Sequence, residues 1–159
     1  MRHIKLLAIV IQCVIVPSVS ADSDRFPAVT YDVTRKECGA CHMTFQPQLL
    51  PARSWEAIMD NLNNHFGEDA GLDQETTDYI EEYLVKNAAD TRRNGFRDYG
   101  VLQGIKNSQT PIRITDLPYW IHEHTGELSP TVWKRTDIGS KANCLACHSD
   151  ADQGYYEDD

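Results

Sequence analysis

Apolar residues in this chain recur at helical spacing, and no segment of any length alternates apolar with polar positions. A period near 3.6 with no period of two predicts an all-α protein whose helices are joined by long irregular connections. Residues 22–33 read as an extended lead-in, followed by a short helix running into Met43, with Pro47 and Pro51 enforcing a loop after it. Trp55, Ile58, Met59 and Leu62 share one face of a helix that Ser54 is placed to cap and Gly67 to stop. A further helix begins near Asp73 and carries Ile80, Tyr83 and Leu84. Residues 92–113 hold glycines, polar residues and Pro111 without any periodicity. A loop of that length is uncommon in a small domain unless it has a function. Beyond it, Thr115 or Asp116 can cap a short helix holding Leu117, Trp120, Ile121 and His124, Ser129-Pro130 opens a turn with Val132 and Trp133, and Ser140 can cap a last helix.

The N-terminus changes the compartment. Arg2, His3 and Lys5 precede an apolar run over residues 6–16, and Val19-Ser20-Ala21 is a small-residue cleavage site, so residues 1–21 read as a signal peptide. The run is shorter than the roughly 20 residues a bilayer span needs. Removing 21 of 159 residues leaves 138, enough for one compact domain or two very small ones. Cys13 leaves with the peptide, and the residues before it lack the small side chains of a lipid-attachment site. Loss of Arg2 and Lys5 takes the formal charge from −9 to −11. Such a charge excludes nucleic acid as a partner, keeps the protein soluble and can steer it toward a positively charged protein face. Tyr155-Tyr156-Glu157-Asp158-Asp159 reads as a solvated acidic tail.

The four remaining cysteines fall in two identical spacings, Cys38-Gly39-Ala40-Cys41-His42 and Cys144-Leu145-Ala146-Cys147-His148. A C-x-x-C-H pentad is the attachment signature of c-type haem. Its two thiols add to the haem vinyl groups, and the adjacent histidine becomes an axial iron ligand. A four-cysteine zinc site would use a gap of roughly 15–20 residues between the pairs. Here about a hundred residues separate them, and each pair carries its own histidine. A redox dithiol would need a thioredoxin-like βαβ pattern, which is absent. The expected cofactors are therefore two covalently attached c-type haems in an exported, periplasmic chain with no thiol left for a disulfide.

The ligand on the far side of each iron decides function, since an open position permits oxygen or peroxide chemistry and two protein ligands confine the haem to electron transfer. After His42 and His148 the mature chain offers His65, His122 and His124. His65 lies three residues after Leu62 and seven after Ile58, on the apolar face, which makes it the candidate for the first haem, with Met59 as its rival. Met43 directly follows a proximal histidine and cannot fold to the other side. His124 shares a face with Leu117, Trp120 and Ile121 and is favoured over His122, which lies with polar residues. Trp55, Trp120 and Trp133 are candidate haem-packing residues, and Arg53, Arg92, Arg93 and Arg97 are candidates for pairing with haem propionates or for solvated surface charge.

With those residues in view, the chain closely resembles the dihaem cytochrome c family. The matching stretches are ECGACHMTFQPQLLPARSW (37–55), NNHFGEDAGLD (63–73), IEEYLVKNAA (80–89), RITDLPYWIHEH (113–124) and VWKRTDIGSKANCLACHSDADQGYYEDD (132–159). The resemblance implies bis-histidine ligation, His42 with His65 and His148 with His124. It implies a first half like a small class I cytochrome c and a second half of distinct architecture. It also implies redox partners, an oxygen-binding monohaem cytochrome c and a membrane cytochrome b. The expected organisation is a signal peptide (1–21), an N-terminal haem module (22–91), a linker or haem-packing loop (92–113) and a C-terminal haem module with an acidic tail (114–159). The expected function is electron carriage without substrate chemistry; the alternative is a haem enzyme or gas sensor with one open iron.

Overall fold

The computed structural model describes residues 25–91, 100–126 and 128–157. The proposed signal peptide and Arg92, Arg93 and Arg97 lie outside the described residues. Among the described residues four α-helices form the framework: α1 Asp32–Cys38, α2 Ala52–Met59, α3 Gln74–Lys86 and α4 Pro118–Thr125. Six single 3₁₀ turns punctuate the segments between and after them, and among the described residues there is no β-strand, only the isolated bridges Arg25–Tyr155 and His65–Glu68. The helical class therefore matches the periodicity.

Local chemistry explains where the helices stand. At the start of α3, Asp73 accepts the Thr76 N–H at 2.9 Å and the Thr76 hydroxyl at 2.8 Å, satisfying donors that a helix leaves unpaired in its first turn. Those bonds hold the Asp73 carboxyl below its ordinary range. Ser54, by contrast, caps nothing. Pro51 occupies the N-cap position of α2, three residues earlier, and Asp90, arriving from beyond α3, accepts the Ala52 N–H at 2.8 Å. Helix α2 also ends at Met59, well before Gly67, because Asn61, Asn63 and Asn64 favour turns over helix. The first pentad begins on the last residue of α1 and then leaves the helix, and the second sits on a 3₁₀ turn, Cys144–Ala146, rather than a helix. Ser140 only accepts the Ala142 N–H, and neither Thr115 nor Asp116 caps α4; they lie in the 3₁₀ turn before it.

Helices α2 and α3 pack on each other around Leu49, Leu50, Trp55, Met59, Ile80, Leu84 and Ala88. Trp55 fills this layer and donates its indole N–H to the Pro47 carbonyl at 2.8 Å, so its polar atom is satisfied inside the core. Val101 and Leu117 bring the second half of the chain into the same cluster. Arg53 pins the intervening segment: it donates to the Gln109 carbonyl at 2.6 Å and the Lys106 carbonyl at 3.3 Å and pairs with Asp90 at 3.3 Å. Arg53 thus ties α2 to Asp90 and to the segment around Lys106 and Gln109.

The C-terminal segment is held in place through Gly154 and Tyr156, while Glu157 is exposed and Asp158 and Asp159 lie outside the described residues. Gly154 accepts the Phe26 N–H at 2.8 Å, Tyr156 packs edge-on against Phe26 at 5.6 Å, and its hydroxyl donates to the buried Gln46 side chain at 2.6 Å. The Gln46 amide in turn donates to the Ala151 carbonyl at 2.8 Å. One fully buried amide therefore joins the segment after the first pentad to the segment after the second.

Candidate haem sites

At the first site, α1 closes with the Gly39 N–H bonded to the Arg35 carbonyl at 3.0 Å, so close that a side chain at Gly39 would collide with that oxygen. The chain then turns outward. Cys38 stays half-buried, and burial, reinforced by the charge of Glu37, pushes its thiol up to about 11, while Cys41 is exposed. The His42 Nδ1–H donates to the Met43 carbonyl at 2.6 Å; a carbonyl can only accept, so the proton sits on Nδ1 and Nε2 keeps its lone pair.

His65 stands opposite, its ring centre 6.1 Å from that of His42 with 29° between the planes. It is not on a helix. The turn Leu62–Asn64 precedes it, its backbone exchanges hydrogen bonds with Glu68 at 2.8 and 3.2 Å, and Phe66 takes the left-handed φ of 55° just after it. Burial foremost, then electrostatic interaction with His42 and with the Arg113 guanidinium, lowers the His65 pKa and favours the neutral imidazole that a metal ligand must be. A groove of about 360 Å³ opens beside it, lined by Ile58, Asn64, Phe66, Ile112 and Arg113 among others. The Arg113 guanidinium lies 4.0 Å over the exposed Phe66 ring.

The second site repeats the order of exposure on unrelated local structure. Cys144 is half-buried and burial pushes its thiol up to about 11; Cys147 is exposed. The His148 Nδ1–H faces the Glu157 carbonyl at 3.4 Å, and the His124 Nδ1–H donates to the Trp120 carbonyl at 2.8 Å, again leaving both Nε2 atoms free. The two rings lie 6.2 Å apart with their planes at 88°. His124 stacks on the Trp120 indole at 4.2 Å, Trp133 stands 6.1 Å from it, and Lys141 lies over both indoles at 5.5 and 5.6 Å. His122, on the opposite side of α4, is exposed.

These pairs fit a haem iron. Metal–imidazole bonds of about 2.0 Å on each side, with a further ring radius beyond each nitrogen, put two imidazole centres roughly 6 Å apart across a metal. Met59, the rival ligand, is buried in the α2–α3 core. The four pentad cysteines are among the described residues, and no group of three or more His, Cys, Asp or Glu there stands where it could hold a metal ion. Sequence reasoning missed Gln46, Tyr156, Arg113 and Lys141. Arg113 was legible as a cation in a motif-rich stretch, whereas Gln46 and Tyr156 gain their meaning from contacts more than a hundred residues apart.

Two attachment pentads, each with a second imidazole ring about 6 Å from its own, define a c-type cytochrome with two haem sites. The family follows from comparison: residues 34–156 match the model of the dihaem cytochrome c family, and the chain belongs to that family. It carries two covalently attached c-type haems and is an electron-transfer haem protein. Its structure is similar to a diheme cytochrome c from Rhodobacter sphaeroides, with a TM-score of 0.74 and 45% identity over 82% of this chain and 99% of that one. A second structure, of DHC purified from Rhodobacter sphaeroides, gives 0.66 and 44% over 80% and 98%. The diheme cytochrome type c of Shewanella baltica gives 0.62 and 34% over 79% and 85%. A search of curated proteins gave no significant match. Among the described residues no helix is long and apolar enough to cross a membrane.

Proposed function

We propose that this protein is a periplasmic electron carrier whose two haems are both six-coordinate, His42 and His65 holding one iron and His124 and His148 the other, with Cys38, Cys41, Cys144 and Cys147 forming the thioethers. The observation that carries this reading is the pair of ring separations, 6.1 and 6.2 Å, reached at two sites of unrelated local structure. The three Nδ1–H bonds to backbone carbonyls support it, since each leaves Nε2 as the donor.

When bound, the haems supply reversible one-electron iron chemistry. The chain's own residues orient and enclose them. Backbone carbonyls fix three of the imidazoles, Trp120, Trp133 and Tyr156 wall the second site, and Arg113 and Lys141 are the cations beside His65 and His124 suited to propionates. With His42 and His65 on one haem and His124 and His148 on the other, the irons would be closed to substrates, and the protein would pass electrons without substrate chemistry of its own.

In this reading residues 1–21 are the export signal, 22–91 a module like a small class I cytochrome c, 92–113 the connection, and 114–159 a second, distinct module. The redox partners are a monohaem cytochrome c that binds oxygen and a membrane cytochrome b. Absorption spectra of the reduced protein with and without carbon monoxide test the central point. Superimposable spectra are expected; a shifted Soret band would mean an open iron and would favour a haem enzyme or gas sensor.

A further inference from the structure

The two histidine pairs have the same spacing and different twist. The rings of His42 and His65 are 29° apart, near parallel, and those of His124 and His148 are 88° apart, crossed. An imidazole bound through Nε2 donates π density through the orbital perpendicular to its ring, so ring orientation selects which iron d orbital it raises. Near-parallel rings act on one orbital of the dxz/dyz pair and separate the two energies. Crossed rings act on one each and leave them nearly equal. We propose that the two haems are electronically different centres, the second a crossed-ligand haem, and that Tyr156 is the positioning residue that holds its crossed geometry. This inference rests on the bis-histidine reading above.

The contacts around each ring account for the difference. His124 is fixed along α4: its Nδ1–H reaches the Trp120 carbonyl one turn back, and its plane lies within 15° of the Trp120 indole. His148 is oriented from another direction, by the returning C-terminal segment. Its Nδ1–H faces the Glu157 carbonyl, and the Tyr156 ring lies 5.7 Å away at 62°. Tyr156 is itself immobilised by its bond to buried Gln46 and its edge contact with Phe26. Two separately anchored elements thus set the crossed pair. At the first site the rings are held by near neighbours: His42 by Met43 and by Phe45 at 5.0 Å, and His65 by its backbone pairing with Glu68. The same orbital argument gives a functional consequence. Separating the pair stabilises the ferric ion, so near-parallel ligands lower the reduction potential and crossed ligands raise it.

Low-temperature electron paramagnetic resonance of the ferric holoprotein tests this. One rhombic low-spin signal with three resolved g-values and one strongly anisotropic low-spin signal are expected in equal amounts. Two signals of the same type would overturn the inference and leave six-coordination standing; a high-spin signal would overturn the reading on which it rests. His65→Ala should remove the rhombic signal alone, and loss of the anisotropic one instead would refute the assignment. Tyr156→Ala should shift the anisotropic signal toward rhombic and lower one midpoint potential while the first haem is unchanged. If both signals and both potentials stay as in the unaltered protein, Tyr156 does not position His148.

Discussion

Replacing Gln46 by leucine probes the joint between the two ends of the molecule. Gln46 is fully buried, and its amide makes two short bonds, donating to the Ala151 carbonyl at 2.8 Å and accepting from the Tyr156 hydroxyl at 2.6 Å, beside a longer one to the Asp152 carbonyl at 3.5 Å. Leucine is similar in volume, so the change leaves no large cavity but strands both partners. A buried polar group left without its bond costs about 1–3 kcal/mol. Tyr156 is only half-buried, so its hydroxyl belongs at the low end, and the sum is about 2–4 kcal/mol. For a chain of this size each kcal/mol moves the melting temperature by about 3–5 °C, giving a drop of roughly 6–20 °C. Guanidinium unfolding of the holoprotein, followed by haem absorbance and far-ultraviolet circular dichroism, reads the loss as a lower midpoint at unchanged slope. Tyr156→Phe, which strands only the Gln46 oxygen, should lose about 1–2 kcal/mol. A Gln46→Leu protein within about 0.5 kcal/mol of the original, the range of a neutral surface change, would refute the claim that this amide holds the two ends together.

Gly154 has φ 89°, and a methyl group there would collide with the Phe26 carbonyl, so Gly154→Ala should undock the C-terminal segment. Faster hydrogen exchange at the Phe26 amide would show it, and exchange as slow as in the unaltered protein would contradict it. Asp73→Ala should lower the unfolding midpoint by removing the cap of α3. The sign of its pH dependence follows from the depressed Asp73 pKa: the contribution is present above the ordinary carboxylate range and lost as pH falls through the lower folded value, so the two proteins should converge in stability in acid. A stability gap that stays constant down to strongly acidic pH would count against the cap.

How much of this was legible in the sequence depends on how local the cause is. The pentads were legible because thioether chemistry fixes their spacing whatever the fold. The Asp73 cap was legible because cap and target lie three residues apart. The cap of α2 was not, since Asp90 reaches it from 38 residues away and Pro51 already occupies the N-cap position. His65 was singled out from a helical face that does not exist; it stands near His42 because an asparagine-rich turn, the Glu68 pairing and the left-handed Phe66 bring it there. The acidic ending read as solvated by composition, and composition cannot show that Gln46 and Phe26 wait over a hundred residues upstream to receive it.

The central claim is that each iron lies between two named histidines. Ferric spectra of His65→Ala and His124→Ala, each compared with the unaltered protein, test it most directly. Each substitution should convert one of the two low-spin haems to high-spin and leave the other untouched, with both haems still covalently attached. Two low-spin haems in either variant would contradict the account.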